Sequence, residues 1–393
     1  MSDSSERYAA KTVKPGTEMT PSPLPDSALV RPVALGPLPE RPLVSVLVTN
    51  YNYGKYISAA IQSILAQTYT HFEMVICDDG STDNSCEVIE SWHEKDARIR
   101  LIRQDNKGQG PALNTAFSAA KGDVLVLLDG DDIALEHRLE LIVQAFRQHP
   151  EAGMVTHALR ILDPQGQQRG RDPEEPLDEG WLAPALLRGP EPVFPPTSGL
   201  ALRTDIANRV FPLPCELIPN AHYDWVVREG AAFLAPVVAL SEVPGIYRLH
   251  AHSFFGHSRL TNLKQVEHRL AGLAGAMAGR RIYARAFMNS EPDPLECDIV
   301  SGVLILSRAI LRGERVSLGQ IARYSRGKSR WIWSLLFLLP AWLRKRLYVW
   351  GREIQIPLRA RRLKGQAVRF LERVGGILGM QWKLGRRVHQ PRN

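Results

Sequence analysis

The sequence predicts an α/β protein: an open, twisted, mainly parallel sheet with helices on both faces, then a mostly helical, basic C-terminal extension. Three observations predict it. Short β-branched apolar runs alternate with segments whose apolar residues recur at helical spacing, the pattern of a parallel sheet covered on both sides. Small polar or acidic residues end those runs, where open α/β sheets bind ligands. Charge is divided along the chain. Ile321 to Asn393 holds 18 Lys and Arg against two acids, a net of +16, which leaves −8 on Met1 to Gln320.

The elements follow in order. Met1 to Pro42 holds eight prolines and no periodic apolar pattern, so it reads as a disordered tail. "LVSVLVT" (Leu43 to Thr49) is a strand, and Tyr56, Ala60, Ile64 and Leu65 recur at helical spacing. "FEMVIC" is the second strand and Cys86 to Trp92 the second helix. "IRLIR" is the third strand and Pro111 to Ala120 the third helix. "DVLVLL" is the fourth strand, and Ile133 to Phe146 the fourth helix. Asp163 to Pro196, rich in Pro, Gly and acids, reads as an excursion loop. A strand near Gly199 to Leu202, a helix over Tyr223 to Phe233 and a strand before His250 close the domain. Ser258 to Phe287 is Ala- and Arg-rich and helical. The predicted divisions are therefore 1–42, 43–255 and 256–393.

Composition excludes several classes. At 393 residues, 44% apolar and 23% charged, the chain is ordinary for a globular protein. Cys77, Cys86, Cys215 and Cys297 form no CxxC pair, so neither a zinc site nor a disulfide framework is predicted and the thiols read as reduced. The N-terminus shows no apolar signal-peptide core, and the expected location is cytoplasmic. "WIWSLLFLLPAWL" (Trp331 to Leu343) falls short of the ~20 residues of a membrane span and contains Pro340. No internal repeat is visible. No G-x-G-x-x-G follows the first strand, which argues against a dinucleotide-dependent dehydrogenase.

The segment "LLDGDD" carries the chemistry. Asp129, Asp131 and Asp132 follow a buried strand, and like charges in a dry cleft repel unless a cation neutralises them. Hard oxygen ligands suit Mg²⁺ or Mn²⁺. A turn plus a helix cap is the competing reading, with Asp132 capping a helix from Ile133. "CDDGSTD" ends the second strand with Asp78 and Asp79, and Asp83 sits to cap the next helix. "VTNYNYG" ends the first. Its Tyr51 is either a stacking surface for a base or a plain loop tyrosine.

Taken together, "PLVSVLVTNYNYGKYISAAIQSILAQTYTHFEMVICDDGSTD" and "DNKGQGPALNTAFSAAKGDVLVLLDGDD" resemble the nucleotide-binding half of the family 2 glycosyltransferases, which have the GT-A fold. The resemblance runs from Leu43 to about Phe146, and more loosely to His250. It implies a nucleotide-binding half over 43–150 and an acceptor half over 151–255. It also implies roles. Thr49 and Tyr51 line the nucleobase site and Asp79 reads the base edge. Asp129 lies near the ribose and Asp131 on the divalent ion, Mn²⁺ or Mg²⁺. Asp132 is either a water-mediated metal contact or a cap. Leu113 replaces a frequent arginine, which puts a contact from that position in question. "PTSGLALR" resembles the loop under the donor sugar, with Gly199 allowing close approach. "HYDWVV" resembles the motif of the catalytic base and leaves Asp224 as that base. "YRLHAHS" resembles the segment whose histidine reaches the metal or diphosphate: His250, with His252 as its rival.

The implied activity is inverting, metal-dependent transfer of a sugar from a nucleotide-sugar donor, uridine-based by analogy, to a glycan or lipid-linked acceptor. A cation on the diphosphate stabilises the leaving group, and a carboxylate takes the acceptor's proton. Metal binding at a neutral histidine would weaken in acid. In the tail, Trp331, Trp333, Trp342, Tyr348 and Trp350 among Leu and Arg suit an anionic membrane surface on the inner face, or a helix packed on the catalytic domain. Their apolar clustering argues against nucleic acid. Two rival classes are a nucleotidyltransferase-like enzyme, which would want a basic glycine-rich phosphate loop, and a non-catalytic carbohydrate- or membrane-binding scaffold.

Overall fold

The computed structural model describes residues 31–188, 192–250 and 263–290. Nearly all belong to one compact unit, Met1–Ser258 with Val266–Ser301. The tail with its tryptophans, Cys297 and His252 lie outside the described residues.

The chain alternates as the apolar runs predict. β1 (Val44–Asn50), α1 (Ile57–Leu65), β2 (Phe72–Asp78), α2 (Ser85–His93), β3 (Ile99–Arg103), α3 (Gln109–Ala119) and β4 (Val124–Asp129) come first. Then follow β5 (Ile133–Ala134), α4 (Arg138–Gln148), β6 (Met154–Thr156), β7 (Leu159–Leu162), β8 (Gln168–Asp172) and α5 (Ala183–Arg188). A 3₁₀ turn at Thr197–Gly199 leads into β9 (Leu200–Arg203), α6 (Thr204–Val210), α7 (Tyr223–Leu234), β10 (Val237–Ala239), β11 (Gly245–Arg248) and α8 (Leu263–Met288).

Seven strands form the main sheet in the order β10-β6-β9-β4-β1-β2-β3, and four form a second in the order β5-β11-β7-β8. In the main sheet every pairing is parallel except the two made by β9, which runs antiparallel between β4 and β6. Alternation within each strand separates two cores. Val46, Val48, Met74, Ile76, Val126 and Leu128 pack with α1, α2 and α4. Leu47, Val75, Cys77, Leu125 and Leu127 pack with α3, α5, α6, α7 and α8. Helices thus cover both faces. The register sets Thr49 beside Asp129 and Asn50 beside Asp78, so the ends of β1, β2 and β4 finish level.

Three expectations need correction. The apolar pattern from Ile133 does not begin a helix: Ile133–Ala134 pairs with β11, and α4 starts only at Arg138. Asp132 therefore caps nothing. Its buried carboxylate accepts instead from Ser198 Oγ and Arg248 N. The stretch 163–196 holds more than loop: β8 pairs with β7 from the sheet edge, and α5 packs on α7. β8 reads QRGRD, too polar to signal a strand, because only one edge and one face of it meet protein. Residues 31–42, grouped by composition with the disordered tail, lie along the domain. Val33 N donates to Leu234 O at 2.8 Å, and an Arg203 Nη2 donates to Gly36 O at 2.6 Å.

Candidate active site

Sequence separation between the acids vanishes at the carboxyl end of β4. Asp131, in the turn after β4, and His250, two residues beyond β11, stand with Oδ2 and Nε2 2.8 Å apart, both buried. Asp129 Oδ1 accepts from Thr49 Oγ1 at 3.3 Å and from Gln109 Nε2 at 3.1 Å. Gln109 opens α3. The loop before α3 is held by Asp79, which accepts from Gln104 Nε2, Lys107 N and Gly108 N at 2.7–2.9 Å. Three of about four carboxylate acceptor positions are thus used, which leaves roughly one. Asp78 is spent internally on Ser81 and Asn50. Asp83 grips the start of α2 through Ser85 N at 3.0 Å and reaches Gly54 N at 2.9 Å.

Burial pushes the Asp129 carboxyl up to about 7, and the nearby negative charges of Asp131 and then Asp224 add to it. Asp224 sits in the first turn of α7, so this coupling brings α7 to the same site. Its Oδ2 lies 3.9 Å from Arg228 Nη1, and the Arg228 guanidinium stacks 4.4 Å over the Trp225 ring. Burial likewise raises Asp132 well above the usual carboxylate range, with Asp131 and Asp129 contributing.

Positive charge lies beneath these acids, at positions no motif marks. Arg138 is fully buried; its Nη2 donates to Leu127 O at 2.8 Å and Ser198 O at 2.6 Å, and its Nε to His157 Nε2 at 3.0 Å. Burial lowers its guanidinium to about 10, with Asp132 and Asp129 pulling the other way. His157 is held neutral: burial and then the Arg138 charge depress it to about 3. An Nε2 that accepts from Arg138 leaves Nδ1 as the donor to Ala158 O, 3.0 Å away. On the other side Arg248 N donates to Asp132 Oδ1 at 3.2 Å, its Nε to Asp131 O, and its Nη2 to Tyr56 O at 3.1 Å.

A Cβ on Gly199 would stand 2.4 Å from His157 O and 2.5 Å from Pro195 Cβ, so the close approach there is of the protein to itself. Leu113, on α3, is buried in the core. Its neighbour Asn114 instead clamps Leu213, donating to its carbonyl at 3.0 Å and accepting from its N–H at 2.7 Å. Tyr51 is 43% exposed beside the end of β1, available as a stacking surface. Ser198 went unnoticed, an ordinary hydroxyl in "PTSG". It links Asp132 and Asp129 through side chain and backbone.

Among the described residues no three His, Cys, Asp or Glu side chains are arranged to hold a metal together. The pair fits a hard cation nonetheless. Adjacent ligands of an octahedral ion with ~2.1 Å bonds lie about 3.0 Å apart, and such ions keep waters and substrate phosphates as their other ligands. The Asp131–His250 separation of 2.8 Å is close to that edge. Asp131 and His250 would be its protein ligands. Among the described residues no helix is long and apolar enough to cross a membrane.

Residues 45–208 match the family model described as glycosyl transferase family 2. An uncharacterized glycosyltransferase of Nostoc sp. is 40% identical over 213 residues, which is 53% of this chain and 65% of that relative. Chondroitin synthase of Escherichia coli is 38% identical over 125 residues, 32% of this chain and 18% of the synthase. The chain therefore spans less than two thirds of either. A solved mannosyltransferase from Pyrobaculum calidifontis aligns over 83% of this chain and 92% of its own, at 18% identity and a TM-score of 0.47, a likeness too slight to carry weight. The match covers the strands β1 to β4 and the aspartate turn, so residues 45–208 form a domain of the glycosyl transferase family 2 kind.

Proposed function

We propose that this protein is a divalent-metal-dependent, inverting glycosyltransferase that moves a sugar from a nucleotide sugar, a UDP-sugar first among candidates, to a hydroxyl of a glycan or lipid-linked acceptor. One observation carries the reading. Acids and a histidine from β4, α7 and the end of β11 converge, with Asp131 and His250 in contact across 119 residues and Asp224 close enough to raise Asp129. The family match supports the same reaction class.

Each residue then has a task. Tyr51 offers its face to the base, with Thr49 behind it and the remaining acceptor position of Asp79 toward the base edge. Asp129 takes the ribose side. Asp131 and His250 would hold Mn²⁺ or Mg²⁺, which supplies charge stabilisation to the departing diphosphate. Arg138 and Arg248 keep the acidic turn from flying apart when no donor is bound. Asp224 accepts the proton of the acceptor hydroxyl as that oxygen bonds to the anomeric carbon and the bond to the diphosphate breaks. One displacement of this kind inverts the centre. Acceptor choice falls to the β7–β8 hairpin and the stretch before α5, since Asp172 at the end of β8 lies close enough to feel both Arg228 and Asp224.

The test is a screen of nucleotide sugars with and without Mn²⁺, on the unaltered chain, Asp131→Asn and Asp224→Asn. Asp131→Asn should lose cation-dependent nucleotide binding. Asp224→Asn should keep binding and lose transfer by about 10²-fold or more. Equal loss of both in the Asp224 variant rejects it as the base, and full transfer by Asp131→Asn without Mn²⁺ rejects the metal.

A further inference from the structure

Nothing so far explains why the imidazole of His250 faces Asp131 rather than solvent. His250 follows β11 at the point where regular pairing has ended, so the sheet does not fix its direction. The aromatic residues of the β1–α1 loop do. The Tyr56 ring lies parallel to the imidazole, centroids 4.5 Å apart and planes 20° from coincidence. Tyr53 closes the edge at 5.7 Å and 76°. Tyr56 is itself anchored: its carbonyl accepts from Arg248 Nη2 at 3.1 Å, and the same guanidinium stands 5.1 Å over its ring. Arg248 also donates to Asp131 O. The loop after β1, the turn after β4 and the segment after β11 are thus tied at one point.

We infer that Tyr56 is the positioning residue for His250, its ring clamping the imidazole so that Nε2 meets Asp131 Oδ2 as a preformed half of the cation site. The inference rests on the proposed metal-dependent reading. It assigns Tyr56 no contact with the cation or the sugar. A flat ring stacked on imidazole fixes its plane, and the backbone anchor of Tyr56 fixes the ring. Tyr53 limits rotation from the side, and its phenol is held protonated by burial and by the three neighbouring aspartates. The phenol oxygen of Tyr56 has no part in this, so phenylalanine should serve equally.

The experiment uses the full chain with no donor present and two readouts. The first is the affinity for Mn²⁺ alone, from the free-ion electron paramagnetic resonance signal. The second is the position of the His250 Cε1–H proton resonance without metal, assigned by its disappearance in His250→Gln. Ring stacking shifts that resonance upfield in the unaltered chain and in Tyr56→Phe, and both should bind Mn²⁺ equally within about twofold. Tyr56→Ala should return the resonance toward its free position and weaken Mn²⁺ by about 10–100-fold, the range for removing a partner that orients a ligand. Tyr56→Leu, which keeps bulk but no ring, should behave as Tyr56→Ala and guards against simple loss of folding. An unmoved His250 resonance in both Tyr56→Ala and Tyr56→Leu overturns the inference, as does unchanged Mn²⁺ affinity in them. Absence of Mn²⁺ binding by the unaltered chain sinks the metal reading instead, and the resonance still decides whether Tyr56 sets the imidazole.

Discussion

Ser198 Oγ donates to Asp132 Oδ2 at 2.6 Å and accepts from Asp129 N at 3.0 Å, so one hydroxyl braces two of the three aspartates in the turn. Ser198 and Asp132 are both buried. Ser198→Ala leaves a buried carboxylate oxygen and a backbone N–H without that partner, a loss of about 1–3 kcal/mol. A thermal melt of the cation-free protein should show the lowered midpoint. A midpoint unchanged from the parent would mean the serine does not brace the turn.

His157 gives a pH dependence whose sign is fixed. Burial and then the Arg138 charge depress its folded pKa to about 3, from 6.5 for an ordinary imidazole. The unfolded chain therefore takes up a proton that the folded one refuses, and stability falls as pH drops from about 6.5 toward 3. Asp129 acts in the opposite sense. Its folded pKa is raised from 3.8 to about 7, so the folded state holds the extra proton and cation-free stability falls as pH rises through that window. The two must be separated by variants. Relative to the parent, His157→Gln should lose less stability on going from pH 7 to pH 5, and Asp129→Asn should lose more. Parallel melting curves for all three would contradict both assignments.

Gly110 sits in the first turn of α3 against the residue that leads into Asp224. A Cβ there would meet the Tyr223 ring at 2.6 Å and Cys215 Sγ at 2.7 Å. Gly110→Ala should cost about 1–3 kcal/mol by overpacking. Because Tyr223 is next to Asp224, transfer should fall further than donor binding, which a comparison of turnover with nucleotide affinity would reveal.

Glu229 on α7 and Arg280 on α8 form a buried bidentate pair, with Arg280 Nε and Nη2 at 2.8 and 2.5 Å from the two carboxylate oxygens. Removing Arg280 leaves the buried Glu229 carboxylate without its guanidinium. Arg280→Met should destabilise by about 3–5 kcal/mol, and adding Glu229→Met should restore much of it. Denaturant titration measures both. A double variant no better than the single would show that packing, not charge, is what is lost.

The half of the fold from β1 to β4 was legible because its strands are buried on both faces and so read as apolar runs, ended by acids at level positions. Asp129 and Asp131 stand out in the acidic run after a buried strand, whereas His250 could be singled out only because family resemblance ties it to them across a stretch that no local period connects. What stayed hidden has a common physical cause. Arg138, His157 and Ser198 are single polar residues whose importance comes from partners 11 to 69 positions away in sequence, and burial of an arginine leaves no pattern to read. β5 was hidden for another reason. Two residues cannot show a period of two, and the apolar spacing of α4 nearby swamped them. Gly199 ends the 3₁₀ turn before β9, and which atom it lets in depends on how far Pro195 and His157 fold back.

The antiparallel insertion of β9 governs how the molecule comes into being. The strand that carries Asp129 is zipped to β1 on one flank, but its other flank stays bare until residues 200–203 have been made and turned back upon it. A nascent or truncated polypeptide that stops short of Leu200 presents an apolar, unpaired ladder to its surroundings, an invitation to aggregate. Excision of residues 43–150 as a minimal fragment should therefore yield insoluble material, while any boundary beyond β9 lets the central ribbon seal itself.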